Sequence, residues 1–267
     1  MKTYFEKKLN YNQISFCLTS TPKIDEREIH SYHEILLYFD GDVELFTVNG
    51  RRKLKKPSLL IIPAETYHLL KPIKSPEFVR LKISFNTNVL KDTPLCRIMN
   101  GIKVVDNFSE DIQNLFAKLY EVLKRSDKNT GFYAYSVFLM LVTELSIYGV
   151  DNADKHIIKN EPMNMLAGYI SDNLSSNLNI KSLAEIFHIS PSAITHMFKK
   201  EFGIPVHKYI MQKRLIYAKR LIGEGAKLSK IYSDVGFGDY SSFYKAYVKY
   251  FGYTPAEDKN KKAYIKP

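Results

Sequence analysis

One pattern occurs twice in the last hundred residues, about fifty positions apart: a short apolar helix, a tight turn, a helix cap, and a second helix with one polar face. In the first copy, residues 179–202, Leu183, Ile186 and Phe187 give the leading helix an apolar face, and Ala184 is small enough to admit a second helix closely. His188-Ile189 makes a short connection. Ser190 is suited to cap the next helix and Pro191 to open it, where no N–H is needed. That helix turns Ile194, Met197 and Phe198 inward and leaves Ser192, Thr195, His196, Lys199 and Lys200 on the other side. In the second copy, residues 231–250, Gly236-Phe237 forms the turn, with glycine free to adopt left-handed backbone, and Asp239 is the cap. Phe243, Tyr247 and Tyr250 face inward, while Tyr240, Ser241, Ser242 and Lys245 face outward with Lys249 behind them. A long helix over 205–223, with Tyr209, Ile210, Leu215, Ala218, Leu221 and Ile222 as its apolar set, spaces the copies rigidly.

A helix with small polar groups at its start and lysines at its end suits the major groove: the former meet base edges and the latter neutralise phosphates. Two such helices about 34 Å apart enter successive major grooves on one face of a duplex, bending it where the spacing is imperfect. Taken singly, Lys199, Lys200, Lys213, Arg214 and Lys245 also read as solvated helix faces; the repetition of cap, turn and polar face is what favours double-stranded DNA. Charge agrees. Of the formal +11, residues from 161 onward hold 16 Lys/Arg against nine Asp/Glu, so most of the excess lies in this shorter part.

The first half has another period. Short strands are predicted at 35–39, 43–48, 58–62, 67–70 and 78–85, with Asp40-Gly41-Asp42, Asn49-Gly50, Lys71-Pro72 and Ser75-Pro76 as turn or break signals. Strands at this spacing imply a sandwich or barrel. From Ser109, the spacing of Ile112, Leu115, Phe116, Leu119, Val122 and Leu123 predicts a helix, and 131–148 a second. These two either pack on the strands or expose a dimer contact. The apolar stretch 131–150 is near the length of a membrane span, but Thr143, Glu144 and its serines, with no anchoring pattern around it, favour a buried or dimer-forming helix.

Residues 150–161 are polar, lack periodicity and precede Pro162, so they divide the chain: 1–150 one domain, 151–161 a linker, 162–267 a second. Helices are expected at 162–174, 180–187, 191–201, 205–223, 228–235 and 239–251. Cys17 and Cys96 are too few for a disulfide framework, and no apolar leader opens the chain, which points to the cytoplasm.

The stretch 236–255, GFGDYSSFYKAYVKYFGYTP, matches through Gly236, Phe237, Asp239, Ser241, Phe243, Lys245, Lys249, Gly252 and Pro255 a signature of the AraC/XylS family of bacterial transcription regulators, and the chain resembles that family over about a hundred residues. The first copy adds Leu183-Ala184, Ser190, Met197 to Lys200, Phe202-Gly203 and Lys213-Arg214. Three departures stand out: Tyr232 where the family has alanine, Tyr247-Val248 for Phe-Lys, and Asp258-Lys259 for a terminal Tyr-Arg. The first is expected to perturb packing of the second unit, and the second removes a phosphate-contacting cation.

His33 to Leu36, Gly41, Asn49-Gly50, the Leu60 to Pro63 strand end and His68 are similar in order to the cupin-like effector domain that precedes this module in the family. The resemblance implies an α+β, two-domain chain: a cupin-like β-barrel with appended helices, then an all-α domain with two helix-turn-helix units joined by a long helix. It implies a non-enzymatic activator, homodimeric, with DNA, RNA polymerase and a small-molecule effector as partners and no membrane. Effector candidates are His33, Tyr38, His68 and Arg80. His30, His33, Glu34 and His68 also offer ligands for catalytic metal, but His30 and His33 are an odd number apart and on one strand would face opposite ways. No cofactor or metal is therefore expected. A metal-dependent cupin enzyme fused to a DNA module and an architectural DNA-bending protein are the alternatives.

Overall fold

A computed structural model of the chain describes residues 5–20, 29–73, 79–90, 93–148 and 161–260. Among the described residues, the first part holds nine strands: β1 (Phe5–Tyr11), β2 (Ile14–Ser20), β3 (His33–Asp40), β4 (Val43–Thr47), β5 (Gly50–Lys53), β6 (Ser58–Ile62), β7 (His68–Pro72), β8 (Val79–Phe85) and β9 (Lys103–Val105). They form two facing sheets, one in the order β1-β2-β8-β3-β6-β9 and one in the order β5-β4-β7, the β-rich first domain that was expected. Every pairing is antiparallel. The sharp passage from β3 to β4 runs through Gly41, whose φ of 118° favours glycine.

The pleat sorts the side chains into layers. Ile35, Leu37, Leu59, Ile61, Leu81 and Ile83 face α1 (Glu110–Leu123) and α2 (Thr130–Tyr148), which cover the larger sheet. Leu36, Tyr38, Leu60 and Ile62 point the opposite way and meet Val43, Leu45 and Leu70 of the smaller sheet. Ser109 caps α1 by accepting from Ile112 N at 3.3 Å. Helix α2 is long and apolar enough by length and composition to cross a membrane. One side of it, including Val137, Phe138 and Leu141, is buried with Phe16 and Phe85 of the sheet, and the other leaves Phe132, Met140 and Ile147 exposed.

The second part is helical: α3 (Glu161–Asp172), α4 (Ile180–Phe187), α5 (Pro191–Phe202), α6 (Val206–Gly223), α7 (Ile231–Asp234), α8 (Tyr240–Phe251) and α9 (Pro255–Asn260). Helix α6 is a wall shared by two cores. Tyr209, Ile210 and Ile216 pack with α3, α4 and α5, whereas Leu215, Ala218 and Ile222 pack with α7 and α8. The expected two-domain α+β architecture is present. Of the expected linker, residues 151–160 lie outside the described residues, as do the Ser75-Pro76 turn signal and Phe78.

The two parts touch extensively. Phe46 and Leu69 alternate with the inward-facing Leu45 and Leu70, so they project from the far side of the smaller sheet, into the core that contains Phe198, Phe202 and Tyr209. Tyr67 donates its hydroxyl to the carbonyl of Phe202 at the end of α5, and Tyr250 of α8 donates to the carbonyl of Ile29.

Candidate nucleic-acid interface

The first unit is built as its residues dictate. Asn179 caps α4, accepting from Lys181 N and Ser182 N at 3.0 Å, and Ser182 returns the bond to Asn179 N at 3.2 Å. The turn carries His188 at φ 54°, the left-handed residue that ends α4. Ser190 then caps α5, with Ala193 N donating to its hydroxyl at 3.2 Å. Ile194, Phe198 and Phe202 are buried, so Ser192, Thr195, His196, Lys199 and Lys200 share the exposed face. The Thr195 hydroxyl donates back to the carbonyl of Pro191 at 2.8 Å, which orients its lone pairs outward as an acceptor. Lys199 and Lys200 lie in the last turn, where the helix dipole favours cations. Ile186, read as part of the apolar face of α4, is instead exposed; Leu183 and Ala184 carry the packing.

In the second unit, Asp239 caps α8: its carboxylate accepts from Ser242 N and Ser242 Oγ, each at 2.8 Å, and these bonds hold its pKa below the ordinary value. Ser242 is thereby committed to the cap, while Tyr240, Ser241, Lys245 and Lys249 stand on the exposed face with Tyr244. Tyr244, which was not singled out in the sequence, stacks at a tilt on Tyr240 with 6.0 Å between centroids; its spacing of four from Tyr240 was the available signal. Tyr232 does not disrupt the unit. Half-buried, it meets Tyr240 edge to face at 6.2 Å and enlarges the aromatic surface at the start of α8.

Two cations read as part of the basic surface are structural. Arg214 donates to the carbonyls of Leu174 at 2.9 Å and Ser176 at 2.7 Å, tying α6 to the loop after α3. Lys213 reaches the carbonyl of Glu65 at 3.5 Å, across to the first domain, and burial pushes its pKa down.

Residues 183–261 match the family model for a helix-turn-helix domain. The chain is 28% identical over 228 residues to the HTH-type transcriptional regulator YobQ of Bacillus subtilis, covering 85% of each chain. It is 27% identical over 146 residues to the arabinose operon regulatory protein of Escherichia coli, covering 53% of this chain and about half (50%) of that one. Residues 183–261 are thus a helix-turn-helix domain, and the chain is similar to AraC-type regulators of transcription. Among solved structures, ToxT from Vibrio cholerae aligns over 97% of both chains at 13% identity and a TM-score of 0.41. The relatives that define the AraC-type match are regulators of transcription rather than enzymes.

Two of the departures from the AraC-type pattern turn out to be one interaction. The Tyr247 hydroxyl donates to the carboxylate of Asp258, which also accepts from Lys219 Nζ at 2.7 and 2.8 Å. Lys219 in turn lies 2.6 Å from the hydroxyl of Tyr253. A phenol thus extends from the core of the second unit to a carboxylate on α9, and burial beside that charge drives the Tyr247 pKa upward. Asp258→Ala should loosen α9 and lower stability by about 1–3 kcal/mol, since it leaves a phenol and an ammonium short of a partner. Urea unfolding checks this. In the Tyr247→Phe background the same substitution should cost less, because part of the interaction is already gone.

The effector candidates in the first domain separate by the pleat. Tyr38 pairs across strands with Arg80, and Glu34 with Ser84, so all four point between the sheets. His68 opens β7 on the same inner side as Leu70. Burial pushes the Tyr38 phenol up to about 12, and Arg80 Nε lies 3.4 Å from Thr19 Oγ1. His33 points elsewhere. Its ring stacks on Phe85 at 5.7 Å, Nε2 meets Thr87 Oγ1 at 3.0 Å, and Nδ1 accepts from Ala64 N at 3.1 Å. Burial pushes its pKa down to about 4, which keeps Nδ1 an acceptor. The structure brings His68 together with His30 and Glu34 instead.

Proposed function

We propose that this protein is a ligand-responsive, sequence-specific transcription regulator acting as an activator, with residues 162–267 binding DNA, 1–150 binding the effector and dimerising, and 151–161 linking them. What carries the reading is the pair of capped helices, α5 and α8, each with a polar and basic face open to solvent. Ser192, Thr195 and His196 read base edges, while Lys199 and Lys200 neutralise phosphates. In the second unit Tyr240 and Ser241 meet the groove, Lys245 and Lys249 the backbone, and Ser242 serves through the cap. The effector is a small polar molecule, such as a sugar, held near Tyr38, His68 and Arg80; the name of one relative, an arabinose operon regulator, supports that class. The exposed face of α2 with Phe132, Met140 and Ile147 is the surface for a second copy. RNA polymerase is the remaining partner, and the cytoplasm the place of action.

His196→Ala should change discrimination among duplex sequences while leaving binding to random DNA nearly unaltered. Lys200→Ala should weaken binding to every duplex and reduce the slope of log affinity against log salt by about 1. Titrations at several salt concentrations measure both. Equal losses on specific and random duplexes for His196→Ala would sink its assignment. Binding swept away by excess competitor DNA would favour an architectural role.

A further inference from the structure

His30 precedes β3, Glu34 is its second residue and His68 opens β7; the three converge at the end of the sandwich next to the DNA-binding domain. All are buried, with 4%, 2% and 8% of their surfaces exposed. Glu34 Oε2 lies 3.3 Å from Nε2 of His30 and 3.3 Å from Nε2 of His68, and the three donor atoms fall within 4.8 Å of one another. A charge-assisted N–H···O bond is shorter, about 2.7–2.9 Å. Around a tetrahedral zinc ion with bonds of about 2.0–2.1 Å, neighbouring ligand atoms stand about 3.3 Å apart.

The other ring nitrogens decide what these face. His30 Nδ1 is 2.8 Å from the carbonyl of Tyr32, and His68 Nδ1 is 3.2 Å from the carbonyl of Thr66. A carbonyl only accepts, so each Nδ1 carries the hydrogen, and a neutral ring presents a bare Nε2 lone pair to the carboxylate. Among the described residues, His30 Nε2 makes no well-aligned hydrogen bond, its one close neighbour being the Glu34 carboxylate. Backbone carbonyls holding Nδ1–H while Nε2 converges on a carboxylate is the arrangement that supports histidine ligands to a metal. Glu34 Oε1 is engaged separately, with Lys82 Nζ at 3.0 Å and the Ser84 hydroxyl at 3.5 Å, which leaves Oε2 for the cluster.

We propose that His30, Glu34 and His68 bind one first-row divalent transition-metal ion, and that its occupancy sets how firmly the first domain holds the DNA-binding domain. Two imidazoles and a carboxylate favour zinc, nickel or iron(II) over magnesium or calcium, and three protein ligands leave a coordination position for water or an effector's donor atom. The coupling follows from the neighbours of the ligands. Ile29, before His30, accepts the Tyr250 hydroxyl of α8, and Tyr67, before His68, donates to Phe202 of α5. The backbone carbonyl of His30 also accepts from Glu65 N at 2.7 Å, and the Glu65 carbonyl in turn receives Lys213 of α6. Drawing His30 and His68 onto one ion therefore moves both segments that grip the helical domain.

The metal site stands on these side chains alone; its effect on DNA rests on the regulator reading above. Chelator-treated full-length protein should bind about one equivalent of zinc chloride by calorimetry and ignore magnesium chloride. Glu34→Gln and His68→Ala should weaken zinc at least about 100-fold, with Cys96→Ser and His207→Ala as controls that keep wild-type binding. Cobalt(II) added to the unmodified protein should give the visible bands of a four-coordinate site, a signature independent of how the variants fold. No zinc uptake, or uptake unchanged in both ligand variants, overturns the site. Zinc should also shift affinity for a mixed-sequence duplex at fixed salt by about 5-fold or more in the wild type and not in Glu34→Gln. Zinc bound with DNA affinity unmoved overturns the coupling, whereas absence of DNA binding with or without zinc overturns the regulator reading instead.

Discussion

Gly236→Ala is expected to unfold the second helix-turn-helix unit, lowering stability by about 2–5 kcal/mol. Gly236 sits at φ 87°, a conformation that costs an L-residue about 1–2 kcal/mol. Space is the larger obstacle. A methyl at this position would stand 2.2 Å from the carbonyl oxygen of Leu174 and 2.8 Å from the guanidinium carbon of Arg214. Neither can step aside cheaply, because Arg214 is bonded to that same carbonyl and to Ser176. Overpacking of this kind adds about 1–3 kcal/mol. Urea unfolding followed by circular dichroism gives the stability. DNA titration should show the affinity falling with it, since Asp239 and α8 follow directly on the turn. A shift in stability below about 0.5 kcal/mol would show that the turn relaxes, contrary to the packing described.

Tyr67→Ala should detach the helical domain from the β domain. Tyr67 is fully buried, with its ring 5.6 Å from Phe202 and 5.2 Å from Tyr209, both edge to face, and its hydroxyl on the Phe202 carbonyl. Truncating a buried aromatic to alanine costs about 3–5 kcal/mol. Here the loss falls on an interface between domains, each with a core of its own, so it should appear as domain separation more than as global unfolding. Amide exchange of α5 and the start of α6 should accelerate, while that of α1 and α2 stays slow. Tyr67→Phe keeps the ring and should cost only about 1 kcal/mol. Equal effects of the two substitutions would place the whole contribution in the hydroxyl, against the ring contacts. Uniformly faster exchange across both domains would show that they unfold together.

The features that were readable from the chain are those whose cause lies within a few residues. Ser190, Pro191 and Asp239 announce helix starts through local chemistry, and the faces of α5 and α8 follow from a period of 3.6 between Ile194 and Phe198 or Phe243 and Tyr247. Strands β1 and β9 gave little to read: β1 is exposed along almost its whole length, and β9 has three residues. Helix α7 begins at Ile231, later than the pattern from 228 suggested, and α9 at 255–260 has only charged and small residues to mark it. Which strands share a sheet was not legible, because it depends on pairings such as β3 with β6 and β8, which no local signal encodes.

Contacts between distant segments were equally hidden. Arg214 and Lys213 read as part of a basic helix surface, since nothing near them in sequence reveals the carbonyls of Leu174 or Glu65. Tyr247 and Asp258 looked like two separate oddities until the fold joined them. The effector candidates His33 and His68 seemed equivalent as polar residues on strands. The pleat then turned His33 toward Phe85 and Thr87 and brought His68 to Glu34.

Residues 67–70, at the start of β7, have no side that faces water in the usual sense: His68 and Leu70 look into the sandwich, while Tyr67 and Leu69 look into the helical domain. Such a segment is a ruler with both edges in use. Deleting a single residue ahead of it would exchange the two edges, sending a leucine among the buried imidazoles and a histidine into an aromatic core. Length in this loop is therefore under tighter constraint than composition: substitutions near 63–66 can be absorbed one at a time, but a change of one residue would undo the packing of the sandwich interior and of the domain interface in the same stroke.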